Sequence, residues 1–372
     1  MKIVIVNDAD LNEVPPIRNL LDILIDLRHE IVLLSRDKEN ALDEYKMKGV
    51  KTYLLREHPD NILGKAISLL KRRRNIREII EKEMGDLLWA ASDKSAIDIG
   101  VNILKKYKSV VQLLELTKDI PLYTGQNFIR AHLVKYAKAA WKIVVPEYNR
   151  AHILKIWWDL RELPVVLPNK PYRLPPRNIP DEIKLKLNKL IQEKRKVLLY
   201  QGIFARDRDL ETVSTAVDKI QNYVLYIMGR ENEYLYNLIR DRKNIEYISY
   251  IKPPYHIYAA RYADIGLLPY KPTKSVENYS ELNSLYCAPN KIYEYASQGL
   301  PMIGPDIPGL KFPFELNKIG ICYRADEPVS VIEAVHNIEK DIETYKTNCQ
   351  KFWNLENIVD IINSIINNTR SE

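Results

Sequence analysis

The stretch APNKIYEYASQGLPMIGPDIPGL, residues 288–310, sets a short helix directly against a short apolar strand. Asn290 is placed to cap a helix running to about Gln298, and Gly299 supplies a left-handed stop. The strand PMI (301–303) follows at once, and a second Pro/Gly loop closes it. On the helix, Ile292, Tyr295 and Ala296 form an apolar face. Lys291, Glu294 and Gln298 fall at i, i+3 and i+7 on a neighbouring face. A helix N-terminus beside a lysine suits a diphosphate. A glutamate one turn further in suits two adjacent hydroxyls, as a ribose offers. The same spacing fits equally a solvated Lys–Glu pair on an ordinary helix.

Working outward, short apolar runs alternate with helical patterns along the whole chain. KIVIV (2–6), IVLL (31–34), TYLL (52–55), LLWA (87–90), VVQLL (110–114) and KIVV (142–145) read as buried strands. Amphipathic stretches such as 15–28 and 95–106 lie between them. The rhythm pauses at LPVVLPNKPYRLPPRNIP (163–180), which holds six of the 21 prolines and has no helical period. It resumes with VLLYQ (197–201), VLYIM (224–228), IEYI (245–248), IGLL (265–268), PMI (301–303) and GICY (320–323). Strands that alternate with helices and are apolar on both faces predict parallel sheets covered by helices. The 372 residues exceed one ordinary core. The expected organisation is α/β, with two Rossmann-like, doubly wound domains facing a cleft. The boundaries read as 1–168, 169–345 and a helical segment, 346–372, that crosses back to the first domain. Ligands are expected at the carboxyl ends of the strands.

Composition narrows the function. Hydrophobic content of 46% and charged content of 28% describe a globular chain. No run approaches the ~18 apolar residues of a membrane helix, and MKIVIVNDAD reads as a first strand, not a signal peptide. Three widely spaced cysteines suit reduced cytoplasmic thiols. None of the six histidines falls at metal-ligand spacing. The net charge of +7 is mild and lacks an aromatic-interleaved basic stripe, so nucleic acid is not an expected partner.

The stretch PNKIYEYASQGLPMIGPDIPGL resembles the donor-site segment of bacterial GT-B glycosyltransferases, in particular those similar to family 4. LRHEIVLLSRD (27–37), VLLYQGIFARDRDLETVSTAV (197–217) and NIEYISYIKPPYHIYAARYADIGLLPY (244–270) extend the likeness over most of the chain. The resemblance implies transfer of a sugar from a nucleoside diphosphate sugar, with UDP favoured, to a glycan or lipid-linked glycan, without a metal or other cofactor. It implies that Glu294 binds the ribose hydroxyls and that Lys291 and Arg208 neutralise the leaving diphosphate. It further implies that Asn290 belongs to the nucleotide site, that Gly202 lets the donor approach, and that Tyr250 and Ile251 lie beside the base. Family 4 members commonly carry an earlier glutamate where this chain has Tyr286, so the resemblance does not extend to the residue that usually meets the sugar. A sugar-nucleotide epimerase of the same fold and an inactive sugar-nucleotide-binding module are the rival readings.

Three carboxylates follow predicted strands of the first half: Asp8, Asp93 and Glu115. A base for the acceptor hydroxyl needs a carboxylate within hydrogen-bond reach. Glu115 is the first candidate should the reaction invert, and Asp8 and Asp93 are acceptor-side candidates. Each also fits an ordinary helix cap. Asp207-Arg208-Asp209 spells DxD, yet at a helix start it reads as a cap around Arg208. The segment 65–83, KAISLLKRRRNIREIIEKE, combines Lys71, Arg72, Arg73 and Arg74 with a partial apolar stripe. It is expected either to touch an anionic membrane surface or to pack on the sheet as a solvated helix.

Overall fold

The structure is a computed structural model that describes all residues except 39, 57–61, 122–128, 206, 273–280 and 368–372, together with the side chains of 62–66. The strands, in chain order, are β1 Lys2–Asp10, β2 Glu30–Arg36, β3 Lys51–Leu54, β4 Leu87–Ala90, β5 Ser109–Gln112, β6 Asp119–Pro121, β7 Arg130–His132, β8 Lys142–Val145, β9 Val165–Val166, β10 Lys196–Gln201, β11 Tyr223–Gly229, β12 Ile245–Ser249, β13 Ile265–Leu267, β14 Met302–Pro305 and β15 Gly320–Tyr323. Every strand expected from the apolar runs forms, because the runs are short, rich in β-branched, aromatic and other apolar residues, and set between helical patterns.

Two parallel sheets result, ordered β3-β2-β1-β4-β5-β8-β9 and β12-β11-β10-β13-β14-β15. Both reverse direction beside their first strand, at β1/β4 and at β10/β13, which makes each a doubly wound Rossmann-like sheet. Their cores are separate. One gathers Ile3, Ile5, Leu33, Trp89 and Val110 under helices such as Pro15–Asp26. The second sheet carries apolar clusters on both faces, one around Leu199, Tyr226 and Tyr295 and one around Leu198, Leu225 and Val335.

The first compact unit comprises Met1–Tyr172, residues 281–283 and the chain from Ile358; the second comprises Arg173 to Ser275 and Ser284–Asn357. The terminal helical segment is broken: one helix, Ile342–Leu355, stays with the second unit. The helix that returns to the first begins at Ile358, not 346, and buries Ile358, Ile362, Ile365 and Ile366 in the first core. Similarly, the amphipathic stretch 95–106 is two helices, Asp93–Ile99 and Val101–Lys106, divided by Gly100 at φ +88°. The antiparallel pair β6/β7 has no counterpart in the sequence reading, since three-residue strands leave little period to detect.

The basic segment lies on the helix Ile62–Glu83. Arg72 does not face solvent: it is buried and its Nε lies 2.8 Å from the equally buried Asp98 carboxylate. Consecutive helical residues turn by ~100°, so one of four adjacent cations must point inward. Exposed Ile67, Leu70, Lys71 and Arg74 remain on the outer face, with Arg74 paired to Glu78 and Arg77 to Glu81. Lys65 and Ala66 lie outside the described side chains.

Candidate functional site

In the second unit the expected residues gather at the carboxyl ends of β10 and β13, beside the switch point. Gly202 follows β10 with φ +148°, a conformation L side chains rarely adopt. A Cβ there would lie 3.0 Å from Lys291 Cε and 3.1 Å from its Nζ. The lysine thus lies directly over the glycine backbone, and glycine is what admits it.

Lys291 comes from the helix Asn290–Ser297. Asn290 is not its cap. Pro289 occupies the N-cap position in extended geometry, Asn290 is the first helical residue, and among the described residues no side chain caps the first turn. Proline's fixed φ starts the helix one position earlier than a capping asparagine would, and leaves the helix N-terminus open. Gly299, at φ +68°, ends the helix as its sequence predicts. Burial pushes the Lys291 ammonium below its ordinary range, Glu294 pulls it back, and Arg208 pushes it down again. A site that disfavours its own cation is primed for an anion.

Arg208 donates to the Asp207 carboxylate and its guanidinium lies 4.3 Å from the Tyr270 ring centre. Burial opposes its charge, but Tyr270, Tyr200 and Asp207 outweigh burial and hold the guanidinium protonated. Asp209 caps the helix Leu210–Val217 by accepting from Thr212 N at 3.3 Å. The DxD carboxylates therefore serve an ion pair and a cap, as their position at a helix start suggests. Among the described residues no group of three or more His, Cys, Asp or Glu side chains is placed to hold a metal ion.

Glu294 is buried one turn along, and His256 Nε2 lies 3.1 Å from its Oε1. Burial alone would raise its carboxyl; His256 and Lys291 outweigh that and hold it below the usual range. His256 is the residue the sequence reading missed, since no motif or spacing singles it out. Ile251 is buried in the core beside β12, while Tyr250 is half-buried with the Arg230 guanidinium 4.5 Å from its ring centre.

In the first unit Asp8, Asp93 and Glu115 also stand at strand ends around a switch point, β1/β4. Asp8 is committed. Its Oδ1 accepts from Ser92 Oγ at 2.5 Å and Ser95 Oγ at 3.2 Å, and Arg36 donates to its carbonyl oxygen. Glu115 Oε2 accepts from Asn283 Nδ2 at 2.6 Å, while Asn283 Oδ1 accepts from Leu116 N at 2.8 Å. The buried Arg150 completes that clamp, donating to the Leu114 and Asn283 carbonyls. Asp93 differs: Oδ1 accepts from Lys94 N, but Oδ2 is buried without a partner among the described residues. Burial, then the charges of Asp8 and Glu115, push its carboxyl up to about 6.

No family model matches the chain, and no curated protein does. Solved structures do. A sucrose-phosphate synthase from Thermosynechococcus elongatus is 15% identical over 98% of both chains, with a TM-score of 0.69. Anabaena HepE in complex with UDP and glucose is 13% identical over 98% of both chains, at 0.68. A UDP-GlcNAc 2-epimerase from Neisseria meningitidis bound to UDP-GlcNAc is 12% identical over 99% of this chain and 100% of its own, at 0.62. The neighbours include GT-B glycosyltransferases, and the chain has their fold, with two Rossmann-like sheets.

Proposed function

We propose that the chain is a glycosyltransferase, specifically a hexosyltransferase, taking a sugar from a nucleoside diphosphate sugar and passing it to a glycan or lipid-linked glycan. The observation that carries this reading is the stacking of an uncapped helix N-terminus, the Lys291 ammonium and the Gly202 backbone at one strand end. That combination is a diphosphate cradle. UDP is the favoured nucleotide, since HepE is described with UDP and the epimerase with UDP-GlcNAc.

In this reading the ribose hydroxyls donate to Glu294, and the base lies near Tyr250 and Ile251. Lys291, Arg208 and the N–H groups at Asn290 and Lys291 receive the diphosphate. Charge on the leaving oxygen grows as the glycosidic bond stretches, so these groups stabilise the transition state more than the bound donor. They take the part a metal ion plays elsewhere, and the reaction is metal-independent. On the acceptor side the proton of the attacking hydroxyl passes to a carboxylate of the Asp8, Asp93 and Glu115 group, with Glu115 the base if the configuration inverts. The protein works at the cytoplasmic face of a membrane, touching anionic lipid through the outer face of residues 65–83. Among the described residues no helix is long and apolar enough to cross a membrane.

The epimerase reading keeps the donor site and dispenses with the acceptor. A thermal-shift screen with UDP, GDP, CMP and TDP tests the donor site first. A ligand at ~100 times its dissociation constant should stabilise by ~2.7 kcal/mol. No shift with any of them refutes the donor reading. UDP release that requires an added glycan supports transfer, while a 2-epimer formed without acceptor establishes the epimerase.

A further inference from the structure

His256 has no place in the account so far beyond its contact with Glu294. It is the second residue of the 3-10 helix Tyr255–Tyr262, and its ring and backbone touch two different parts of the donor site. Nε2 lies 3.1 Å from Glu294 Oε1. Its carbonyl oxygen accepts from Gln201 Nε2 at 2.6 Å, and Gln201 is the last residue of β10, immediately before Gly202. Both side chains are largely withdrawn from water, at 17% and 8% exposure. A carboxylate accepts only, so the hydrogen on Nε2 is fixed by that contact. Nδ1 is buried with no partner among the described residues.

A buried carboxylate on a helix has two oxygens and a rotatable χ3, and what it recognises depends on which oxygen is already taken. Lys291, one turn earlier on the same helix and electrostatically coupled to Glu294, competes for it. Were Glu294 to turn fully toward Lys291, the ammonium would be neutralised against the diphosphate and the carboxylate lost to the sugar. We propose that His256 is a positioning residue that engages Oε1, holds the carboxylate plane, and presents Oε2 to the vicinal hydroxyls of a ribose. The site is thereby selective for ribonucleotides over deoxyribonucleotides. This rests on the ribose role of Glu294, and the test separates the two.

The measurement is calorimetric binding of UDP and 2′-deoxy-UDP to the full chain, its His256→Ala, His256→Gln and Glu294→Ala variants. A hydrogen bond to a charged group is worth ~1.5–3 kcal/mol, so the wild-type protein should prefer UDP by roughly 10-fold to 100-fold. His256→Ala should reduce that preference to under about 3-fold while leaving 2′-deoxy-UDP affinity within about 3-fold. His256→Gln, which keeps an N–H donor, should restore part of the preference. A structural role alone would weaken both ligands equally, and that result overturns the proposal. So does an unchanged preference in His256→Ala when Glu294→Ala has lost it. A preference that survives Glu294→Ala refutes the ribose role itself, and the positioning of Glu294 falls with it.

Discussion

Asp93 offers a test in which the molecule should gain stability by losing a charge. Its Oδ2 is buried and has no partner among the described residues, and its carboxyl is pushed from the ordinary 3.8 up to about 6 by burial and by the neighbouring Asp8 and Glu115 charges. Because the folded protein holds this proton more tightly than the unfolded chain, the stabilising contribution is fully present below pH ~4. It is lost as pH rises through about 6. The difference between 3.8 and about 6 corresponds to at most ~3 kcal/mol above pH 7. Asp93→Asn keeps the shape and removes the charge. Urea unfolding of both proteins between pH 4 and 8 should therefore diverge: near-equal stability at pH 4, and a variant more stable by ~1–3 kcal/mol at pH 7.5. If Asp93 serves the acceptor side as proposed, donor-nucleotide binding should be unchanged while transfer falls. A variant equally or less stable at every pH would show that Asp93 carries no electrostatic strain, and would refute the reasoning.

Four further outcomes test the proposed donor site and the basic helix. Gly202→Ala puts a Cβ 3.0 Å from Lys291 Cε and at a φ that side chains avoid, so UDP affinity should fall at least 10-fold in a titration while the fold persists. Because burial lowers the Lys291 pKa and a bound diphosphate raises it, UDP binding should take up protons as pH rises into the alkaline range. Calorimetry in buffers of different ionisation enthalpy would show this, and Lys291→Arg should abolish it. For the membrane reading, exposed Lys71 and Arg74 changed to glutamate should release the protein from anionic vesicles. Arg72→Leu should instead lower stability by ~3–5 kcal/mol, by leaving Asp98 unpaired in the interior.

What was legible in the sequence was whatever local pattern encodes. VLLYQ and VLYIM read as strands because they are short, apolar and set between helical patterns; Lys291 and Glu294 follow from the spacing on their helix, and Gly202 and Arg208 from the resemblance alone. Local rules failed where two of them met. Asn290 is a good cap, but Pro289 before it already sets the backbone and takes the position. The period through 95–106 is helical on both sides of Gly100, whose φ breaks it without disturbing the spacing of apolar residues. A run of four cations reads as one surface, yet the helix turns Arg72 inward to Asp98. His256 and Asn283 were out of reach for another reason. Each meets its carboxylate through space, His256 from the end of one βα unit and Asn283 from a segment far along the chain from Glu115. No periodicity or spacing records such a meeting.

The return of the last helix bears on how the protein is made. Ile358, Ile362, Ile365 and Ile366 share a core with Ile3, Ile5 and Trp89, so the first unit is built from segments that the second unit separates in sequence. Each buried isoleucine is worth ~1.5–3 kcal/mol, comparable in sum to the whole stability of a typical domain. On the ribosome, the core around Ile3, Ile5 and Trp89 must therefore wait for Ile358 and the isoleucines after it. The second unit, although begun later, has its own sheet and core through Asn357 and can close before the first is complete. During that interval the apolar face awaiting the isoleucines is open to solvent, and it is there that a chaperone would be expected to bind the nascent chain.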